Sequence, residues 1–503
     1  MALQLLSRRT NDANAYFMKR ETPLERLIKN QHSGYPEALI GILFFIYVLI
    51  RASVVSITID EAQTCLAYVP LSVKSIVTYA VPIPNNHILN TLLIKLFSFL
   101  FGMNLFTVRL PNVLGFVLYF VSVSCILRTL YPRSLLLRLA GIALLTCNPF
   151  FMDFFSLARG YALSCAFIAL AVWLALRFLA TDRRVLLALS VIAASAAVYA
   201  SFTALDFYVA FVGLLFIGSW LRRPRSQAMR NAGVIVATTV ALAALCYLPL
   251  KRMIETNQFV FWGSNGFYSD TVVPLVRASL RYGKWYGEKP ADVFAVGFVA
   301  LVVLTGTAVA YSTRHDPQRF RDPAFLYMLL VGTVAVNVVQ FHLAHTPYLD
   351  ERTALSFYVL SGFALAALGT VFETMPPKTT AWWSSIILAF AIGHFSSAAN
   401  FKRSYQWWFN QNDKQVLAYV EAEGTRTQRI VTLDCNWLFQ PSLNFNIQTM
   451  PLQHVELVPF HSGVRPDSKA EFYYAEGTDK QALDSVYTVV SDFGGGRVLM
   501  KRQ

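Results

Sequence analysis

The chain has 503 residues, of which 55% are hydrophobic and only 14% are charged. Soluble domains carry about 25% charged residues, so this composition excludes an ordinary soluble protein and indicates a polytopic membrane protein. The formal net charge of +14 does not indicate a nucleic-acid partner, because the Lys and Arg residues occur in short clusters between apolar runs. Such clusters are typical of the cytoplasmic loops of membrane proteins.

The N-terminal segment, residues 1–37, is polar and basic, and the positive-inside rule predicts that it stays in the cytoplasm. The apolar run at 38–57 follows directly. It is long enough to cross the bilayer as a helix, since a span needs about 20 residues. This span carries the chain outward and delivers two adjacent carboxylates, Asp60 and Glu61, to the far side of the membrane.

The apolar run from Ile88 to Phe101, which contains Lys95, decides the topology of everything that follows it. If this run crossed the bilayer, the arginine-rich loops that come later would lie outside. If it lies flat at the interface, the first outer loop covers 58–106 and the arginine clusters fall inside. The positive-inside rule therefore favours an interfacial helix.

With that choice the pattern predicts about eleven membrane-spanning helices, with the N-terminus inside and the C-terminus outside. The predicted spans are 38–57, 107–127, 136–152, 161–180, 185–203, 206–221, 231–250, 291–312, 324–344, 354–373 and 380–398. Residues 251–290 form a second long outer loop. The membrane domain accordingly covers 38–399.

Residues 400–503 contain no apolar run of membrane-spanning length, which predicts a soluble domain on the extracytoplasmic side. A helix is predicted at Gln411–Ala422. Strands are predicted at Arg429–Asp434, Glu471–Tyr474 and Val486–Ser491, with a turn at Gly494–Gly496. We expect a small α/β domain.

The predicted topology gathers carboxylates, cations and aromatic hydroxyls on the outer face. These are Asp60, Glu61, His87, Asp153, Arg159, Tyr161, Lys251, Arg252, Tyr348, Asp350, Glu351 and Arg352. A sugar linked to a lipid through phosphate already has a good leaving group. Its transfer needs one carboxylate to take the acceptor's proton and cations to hold the departing phosphate. A glycoside hydrolase would need a carboxylate pair flanking the bond, so this set favours a transferase.

Several short motifs occur in a specific order along the chain. They are Ile59-Asp60-Glu61-Ala62, Asn85 to Asn90, Arg109-Leu110-Pro111-Asn112, Asn148 to Tyr161, and Tyr348 to Thr353. In this order they resemble the polyprenol-dependent GT-C glycosyltransferases, the superfamily of the protein O-mannosyltransferases and the lipid A aminoarabinose transferase. Members of that superfamily place Asp or Asp-Glu directly after the first span. The chain departs from it where Asn-Asn-His-Ile replaces the usual His-Pro-Pro.

The resemblance implies a GT-C-like fold and an integral-membrane glycosyltransferase of the bacterial inner membrane. Such an enzyme would move a hexose or pentose, with inversion, from a polyprenyl-phosphate donor to a glycan, lipid or protein acceptor on the periplasmic side. The implied catalytic residues are Asp60, as base, and Glu61. The implied donor-phosphate contacts are Arg352, Tyr348, Lys251, Arg252 and Arg159, and the implied substrate contacts are His87, Asn86, Asp153 and Tyr161. If a divalent cation such as Mg or Mn takes part, Asp60, Glu61 and His87 are its candidate ligands.

Several of these residues also have simpler interpretations, which the sequence leaves open. Arg159 can pair with Asp153, and His87 can cap the interfacial helix. Asp350 can be a solvated loop charge. Arg109 can snorkel to the interface or pair with a carboxylate of the first outer loop.

Two other functions compete with a transferase as explanations of the sequence. A transporter or flippase of a lipid-linked sugar is the alternative from another class, but such proteins place ionisable groups near the bilayer midplane or contain paired repeats. Here the charges cluster at the outer edge of the spans. A scaffold that binds a partner through its C-terminal domain leaves the charged outer loops unexplained.

Overall fold

The structure is a computed structural model that describes residues 34–258, 263–281 and 288–503. The chain divides into two units, residues 1–43 and 44–503. Within the first unit the described residues, 34–43, contain the beginning of helix α1 (Tyr35–Val54). Most of the predicted cytoplasmic segment 1–37 and parts of the predicted loop 251–290 lie outside the described residues.

Long apolar helices make up most of the second unit. After α1 come the short helices α2 (Ile59–Gln63) and α3 (Val73–Val77), then α4 (Ile88–Phe101), α5 (Leu105–Leu130), α6 (Leu135–Thr146), α7 (Pro149–Asp153), α8 (Gly160–Thr181), α9 (Arg184–Ala200), α10 (Leu205–Arg222), α11 (Arg225–Glu255), α12 (Val273–Arg281), α13 (Glu288–His315), α14 (Arg321–Ala344), α15 (Leu355–Phe372) and α16 (Pro377–Ala398). Each predicted span overlaps one of these helices.

Within the described residues, eight helices are long and apolar enough to cross a membrane, or up to nine if a bent pair counts as one span. Helix α9 has only 17 residues. Helix α16 is not among the eight. The predicted class, a polytopic helical membrane protein with a small α/β domain, is confirmed, whereas the count of about eleven spans stays a prediction.

Helix α4 has the bounds expected of the interfacial helix. Its 14 residues extend about 21 Å, too short for a hydrocarbon core of about 30 Å. Its exposed side chains include Phe99 and Phe101, as expected of a helix that turns an apolar face to lipid. The Lys95 ammonium group donates to the Val69 carbonyl at 2.7 Å. Its charge therefore lies away from the exposed apolar face.

The predicted span 136–152 is not straight. Helix α6 and the segment Pro149–Ser156 meet at an angle of 67°. The Asn148 side chain accepts from the backbone N–H of Phe151, and Pro149 occupies the first helical turn. Asn and Pro favour a helix start at these positions, so the helix begins again after the bend.

The C-terminal domain, residues 400–503, is called the outer domain below after its predicted side of the membrane. It contains a five-stranded sheet in the order β2-β1-β3-β5-β4. Its elements are α17 (Asp413–Thr427), β1 (Val431–Cys435), α18 (Gln440–Thr449), β2 (Val455–Leu457), β3 (Phe472–Ala475), α19 (Gly477–Leu483), β4 (Tyr487–Asp492) and β5 (Val498–Arg502). Strand β1 pairs in parallel with β2 and β3, and β5 pairs antiparallel with β3 and β4. The sequence predicted α17, β1, β3 and β4 and missed α18, α19, β2 and β5.

The turn between β4 and β5 is formed by Gly494, Gly495 and Gly496, with φ of 76°, 63° and 81°. Residues with a Cβ avoid this left-handed region, so the glycine triplet that predicted the turn is required by its backbone conformation.

Candidate active site

The Asp60 loop begins where α1 ends. Thr58 caps α2: its hydroxyl accepts from the Glu61 N–H at 3.3 Å, and its own N–H donates to the Glu61 carboxylate at 2.9 Å. This reciprocal capping box fixes the first turn of α2, and with it the direction of the Asp60 side chain.

Glu61 is fully buried and forms a bidentate ion pair with Arg109 of α5, with both N···O distances at 2.8 Å. The Glu61 oxygens also accept from the backbone N–H groups of Thr58, at 2.9 Å, and Ala158, at 2.6 Å. Burial by itself would raise the pKa of this carboxyl, but the Arg109 charge and the hydrogen bonds outweigh burial and lower it. Glu61 is therefore an ionised group whose acceptor positions are all occupied by Arg109 and backbone N–H groups.

Arg109 also ties the loop to the first helix. Its guanidinium donates to the carbonyls of Ala52, Val55 and Ser56 at 3.2, 2.8 and 3.0 Å. Carbonyls at the end of a helix have no partner within the helix, so Arg109 satisfies them and pairs with Glu61 at once. Of the two interpretations left open for Arg109, the structure has the ion pair.

Asp60 has a different environment. Its side chain is 21% exposed, and its carboxylate lies 3.4 Å from the Arg159 guanidinium, which is 2% exposed. Arg159 also donates to the Asn85 carbonyl at 3.2 Å and to the Thr64 hydroxyl at 3.4 Å. Asp60 is thus a carboxylate that solvent or a substrate can reach, next to a buried cation.

Several buried polar atoms around this pair have no hydrogen-bond partner among the described residues. They are the Arg159 Nε, the Tyr68 hydroxyl and the His87 Nε2. Tyr68 lies within the electrostatic influence of Arg159 and Asp60, and the His87 ring packs edge-on against Tyr161 at 4.6 Å. An unpaired buried donor is costly, so this group of atoms fits a polar ligand.

Arg352 approaches the same group from the start of α15. It lies within the electrostatic influence of Asp60 and Tyr161 and interacts with the Tyr161 hydroxyl. Its Nε is also buried without a partner among the described residues. The structure thus brings together Asp60, the neighbouring Arg159 and Tyr161, and Arg352, which come from three segments far apart in the sequence.

His87 is the N-cap residue of α4, yet its side chain makes no capping hydrogen bond. It bonds to the Ala200 carbonyl instead, and burial together with the Arg159 and Arg352 charges holds its pKa well below the usual value of 6.5. Gly160 makes this packing possible, because a Cβ there would lie 2.0 Å from the Ala200 oxygen and 2.7 Å from the His87 Cβ. His87 is therefore a neutral group at physiological pH.

Two solved structures of ArnT from Cupriavidus metallidurans resemble the chain over nearly its whole length. The apo-state structure is 11% identical, with a TM-score of 0.52 over 94% of this chain and 98% of that chain. The structure bound to undecaprenyl phosphate is 9% identical, with a TM-score of 0.51 over 93% of this chain and 97% of that chain. The chain has the GT-C-like fold. No family model and no curated protein matches the sequence.

Within this GT-C-like fold, Asp153 pairs with Arg51 of α1 and not with Arg159. Asp153 also accepts from the Tyr405 N–H at 2.9 Å, and Arg51 donates to the Arg403 carbonyl at 3.0 Å. The alternative pairing of Arg159 with Asp153 was wrong, since Arg159 faces Asp60. The sequence analysis did not predict a role for Arg51, which is fully buried. An arginine inside a predicted span is itself a signal of a specific partner.

The remaining predicted contacts have other partners. Lys251 is about half exposed and lies 3.8 Å from Glu255 one helical turn later. Arg252 donates to the Thr78 carbonyl at 2.6 Å. The Tyr348 ring stacks on Phe341 at 4.3 Å.

The Asn86 side chain makes its contacts within the segment from α3 to α4. Its amide nitrogen donates to the Ile76 carbonyl at 3.2 Å, and its amide oxygen accepts from the Thr91 hydroxyl at 3.0 Å. The Tyr79 hydroxyl also donates to the Asn86 carbonyl at 2.6 Å. These bonds fix the loop before α4 and engage both the nitrogen and the oxygen of the Asn86 amide.

The candidate metal ligands Asp60, Glu61 and His87 have other contacts in the structure. Within the described part of the chain, no group of three or more His, Cys, Asp or Glu side chains is arranged to hold a metal ion. Glu61 already uses its oxygens on Arg109 and two backbone N–H groups, and the His87 ring lies beside two arginines. Two of the three candidate ligands are thus engaged with other groups, and a metal at this position stays a prediction.

Proposed function

We propose that the chain is an integral-membrane glycosyltransferase that moves a sugar from a polyprenyl-phosphate donor to an acceptor on the extracytoplasmic face. The proposal covers hexosyl or pentosyl transfer to a glycan, lipid or protein. The ArnT structure of the same fold is bound to undecaprenyl phosphate, which supports a polyprenyl phosphate as the donor's carrier.

One observation carries the proposal. Asp60, a partly exposed carboxylate, lies near two arginines, the buried Arg159 and the partly buried Arg352, each with a buried Nε that has no partner among the described residues. Phosphate oxygens are the acceptors that a guanidinium fork binds best. The arrangement suits an anionic leaving group held next to a base.

The reaction follows from these positions. The acceptor hydroxyl attacks the anomeric carbon, its proton passes to Asp60, and the bond between that carbon and the phosphate oxygen breaks. The electron pair leaves with the polyprenyl phosphate, whose charge Arg159 and Arg352 stabilise. A single displacement from the face opposite the phosphate inverts the anomeric configuration.

Glu61 takes no part in proton transfer in this scheme. It is a positioning residue that fixes the Asp60 loop to Arg109 and thereby to α1. The site is proposed to face the periplasm, because the arginine clusters at 128–138 and 222–230 lie at the helix ends remote from the Asp60 loop and favour the cytoplasm.

The proposal is tested by binding of undecaprenyl phosphate to the purified protein in lipid nanodiscs. Arg352→Ala and Arg159→Ala should each weaken binding by about tenfold or more, because each removes charged hydrogen bonds to phosphate. Arg352→Lys should fall between wild type and Arg352→Ala, since lysine keeps the charge and loses the planar fork. Arg426→Ala, at an exposed arginine of the outer domain, is the matched control.

Wild-type affinity in both Arg352→Ala and Arg159→Ala would place the phosphate elsewhere and contradict the proposal. Mass spectrometry of cell-envelope glycolipids and glycoproteins, with and without the chain, then identifies the sugar and the acceptor.

A further inference from the structure

The segment that joins α16 to the outer domain, residues 399–412 and here called the linker, contacts the candidate active site directly. The Gln406 side-chain oxygen accepts from the Arg352 Nη1 at 3.1 Å. The Gln406 amide nitrogen donates to the Glu351 carboxylate. One amide group thus bridges two neighbouring charged side chains, and these two bonds fix which way the amide points.

Trp407, the next linker residue, packs against the face of the Arg352 guanidinium. The guanidinium carbon of Arg352 lies 5.3 Å from the centre of the Trp407 ring, a distance at which cation and ring attract each other. Trp407 is 5% exposed, and its ring packs edge-on against Phe154 at 6.1 Å. The guanidinium plane is therefore held by a ring that is itself fixed.

The backbone conformation of Glu351, the residue before Arg352, is also unusual. Glu351 has φ of 39°, in the left-handed region that residues with a Cβ rarely adopt. Such a conformation persists where the surrounding contacts determine it, and these positions are common at ligand sites. The bond from Gln406 to the Glu351 carboxylate is one such contact, and it acts on the residue next to Arg352.

We propose that Gln406 and Trp407 are positioning residues for the leaving phosphate, and that they hold Arg352 with its Nε directed at the site. This inference rests on the proposed function and extends it, because it makes the connection to the outer domain part of the active site. Gln406 binds the Arg352 Nη1 and Trp407 packs on the face of the guanidinium, so the Nε stays available to bind an anion. A side chain ordered in advance loses less rotational freedom when the ligand binds.

The other end of the linker acts on the base. The Asn410 side-chain oxygen accepts from the backbone N–H of Ile59, the residue before Asp60, at 3.1 Å. Asn410 donates in turn to Asp413 and Ser442 of the outer domain at 3.0 and 2.9 Å. The linker thus contacts both the base side and the phosphate side of the site.

The test compares undecaprenyl phosphate affinity, measured in nanodiscs, for Gln406→Met, Gln406→Glu and the exchange variant Gln406→Glu with Glu351→Gln. Gln406→Met removes both bonds and should weaken binding about tenfold. Gln406→Glu places two carboxylates side by side next to Arg352 and should weaken binding at least as much. The exchange variant again has one amide and one carboxylate: the carboxylate at position 406 accepts from Arg352, and the amide at position 351 donates to it. Affinity should return to within about threefold of wild type.

Gln448→Met is the matched control, at an exposed glutamine that bonds to Asn444 on the same helix. It should bind as wild type does. Thermal midpoints of all variants separate a loss of folded protein from a loss of affinity.

Wild-type affinity in Gln406→Met, or failure of the exchange variant to recover, would overturn the inference while leaving the proposed function intact. If the wild-type protein itself does not bind undecaprenyl phosphate, the proposed function and this inference fall together.

Discussion

Replacing Glu61 by glutamine should destabilise the protein while leaving the proposed base in place. The Glu61 carboxylate accepts four hydrogen bonds, two from Arg109 and two from backbone N–H groups, and neither side chain is exposed. A glutamine of the same shape turns an NH₂ group toward one pair of these donors. It also leaves the Arg109 charge buried without a counter-charge. Breaking a buried ion pair in this way costs about 3–5 kcal/mol.

The assay is the thermal midpoint of the purified protein, compared with Asp60→Asn as the neighbouring control. Asp60 is partly exposed and its contact with Arg159 is 3.4 Å, so Asp60→Asn breaks a longer and less buried pair and should cost less than Glu61→Gln. Glu61→Gln should therefore melt clearly below Asp60→Asn. Because the pKa of Glu61 is lowered, its stabilisation is present above its ordinary pKa of 4.5 and is lost as the pH falls through the folded value. Glu61→Gln should lack this acid-sensitive contribution.

Two results would refute the reasoning. One is a Glu61→Gln variant with the wild-type midpoint, which would mean that the buried pair contributes nothing. The other is a stable Glu61→Gln variant without transfer activity beside an active Asp60→Asn variant. That pattern would assign the base to Glu61.

Two further predictions follow from the packing around His87. Gly160→Ala should lower the free energy of unfolding by about 1–3 kcal/mol, because its Cβ would lie 2.0 Å from the Ala200 oxygen. The control Gly213→Ala, where nothing lies within 4 Å of the added Cβ, should leave the thermal midpoint nearly unchanged. Equal midpoints of the two variants would contradict this packing. His87→Gln should keep the wild-type pH profile of transfer between about pH 6.5 and 8, because the lowered pKa keeps the ring neutral there. Loss of an inflection in that range would contradict a neutral His87.

Much of the membrane domain could be predicted from the sequence because apolar length and arginine clusters are local signals. The helix Ile88–Phe101 has its predicted bounds for this reason, since it coincides with a short apolar run, and its interfacial position stays a prediction. The break in the predicted span 136–152 carried a signal as well, because Asn148 and Pro149 together mark a helix start. An apolar run read by length alone conceals such a break.

The ion pairs within the site could not be predicted from local signals in the sequence. Asp153 and Arg159 are close in sequence, and so their pairing was a reasonable interpretation. In the structure Asp153 pairs with Arg51, and Arg159 pairs with Asp60. These pairs depend on how distant helices pack, and side-chain spacing along one segment does not report that packing.

The linker contacts were equally inaccessible to sequence reasoning. Gln406 meets Arg352 across 54 positions, and Asn410 meets Ile59 across 351 positions. Neither residue belongs to a motif that indicates chemistry. In the outer domain, strand β2 has three residues, too few for an alternating pattern to be recognised.

The measurement that tests the central claim most directly is transfer by Asp60→Asn, in a purified assay with the sugar donor and acceptor identified by mass spectrometry. Asparagine keeps the size of the side chain and cannot take the acceptor's proton, so the variant should melt near wild type and bind undecaprenyl phosphate normally. Its transfer rate should fall by about 10²–10⁴-fold. A folded Asp60→Asn variant that transfers sugar at the wild-type rate would contradict the account.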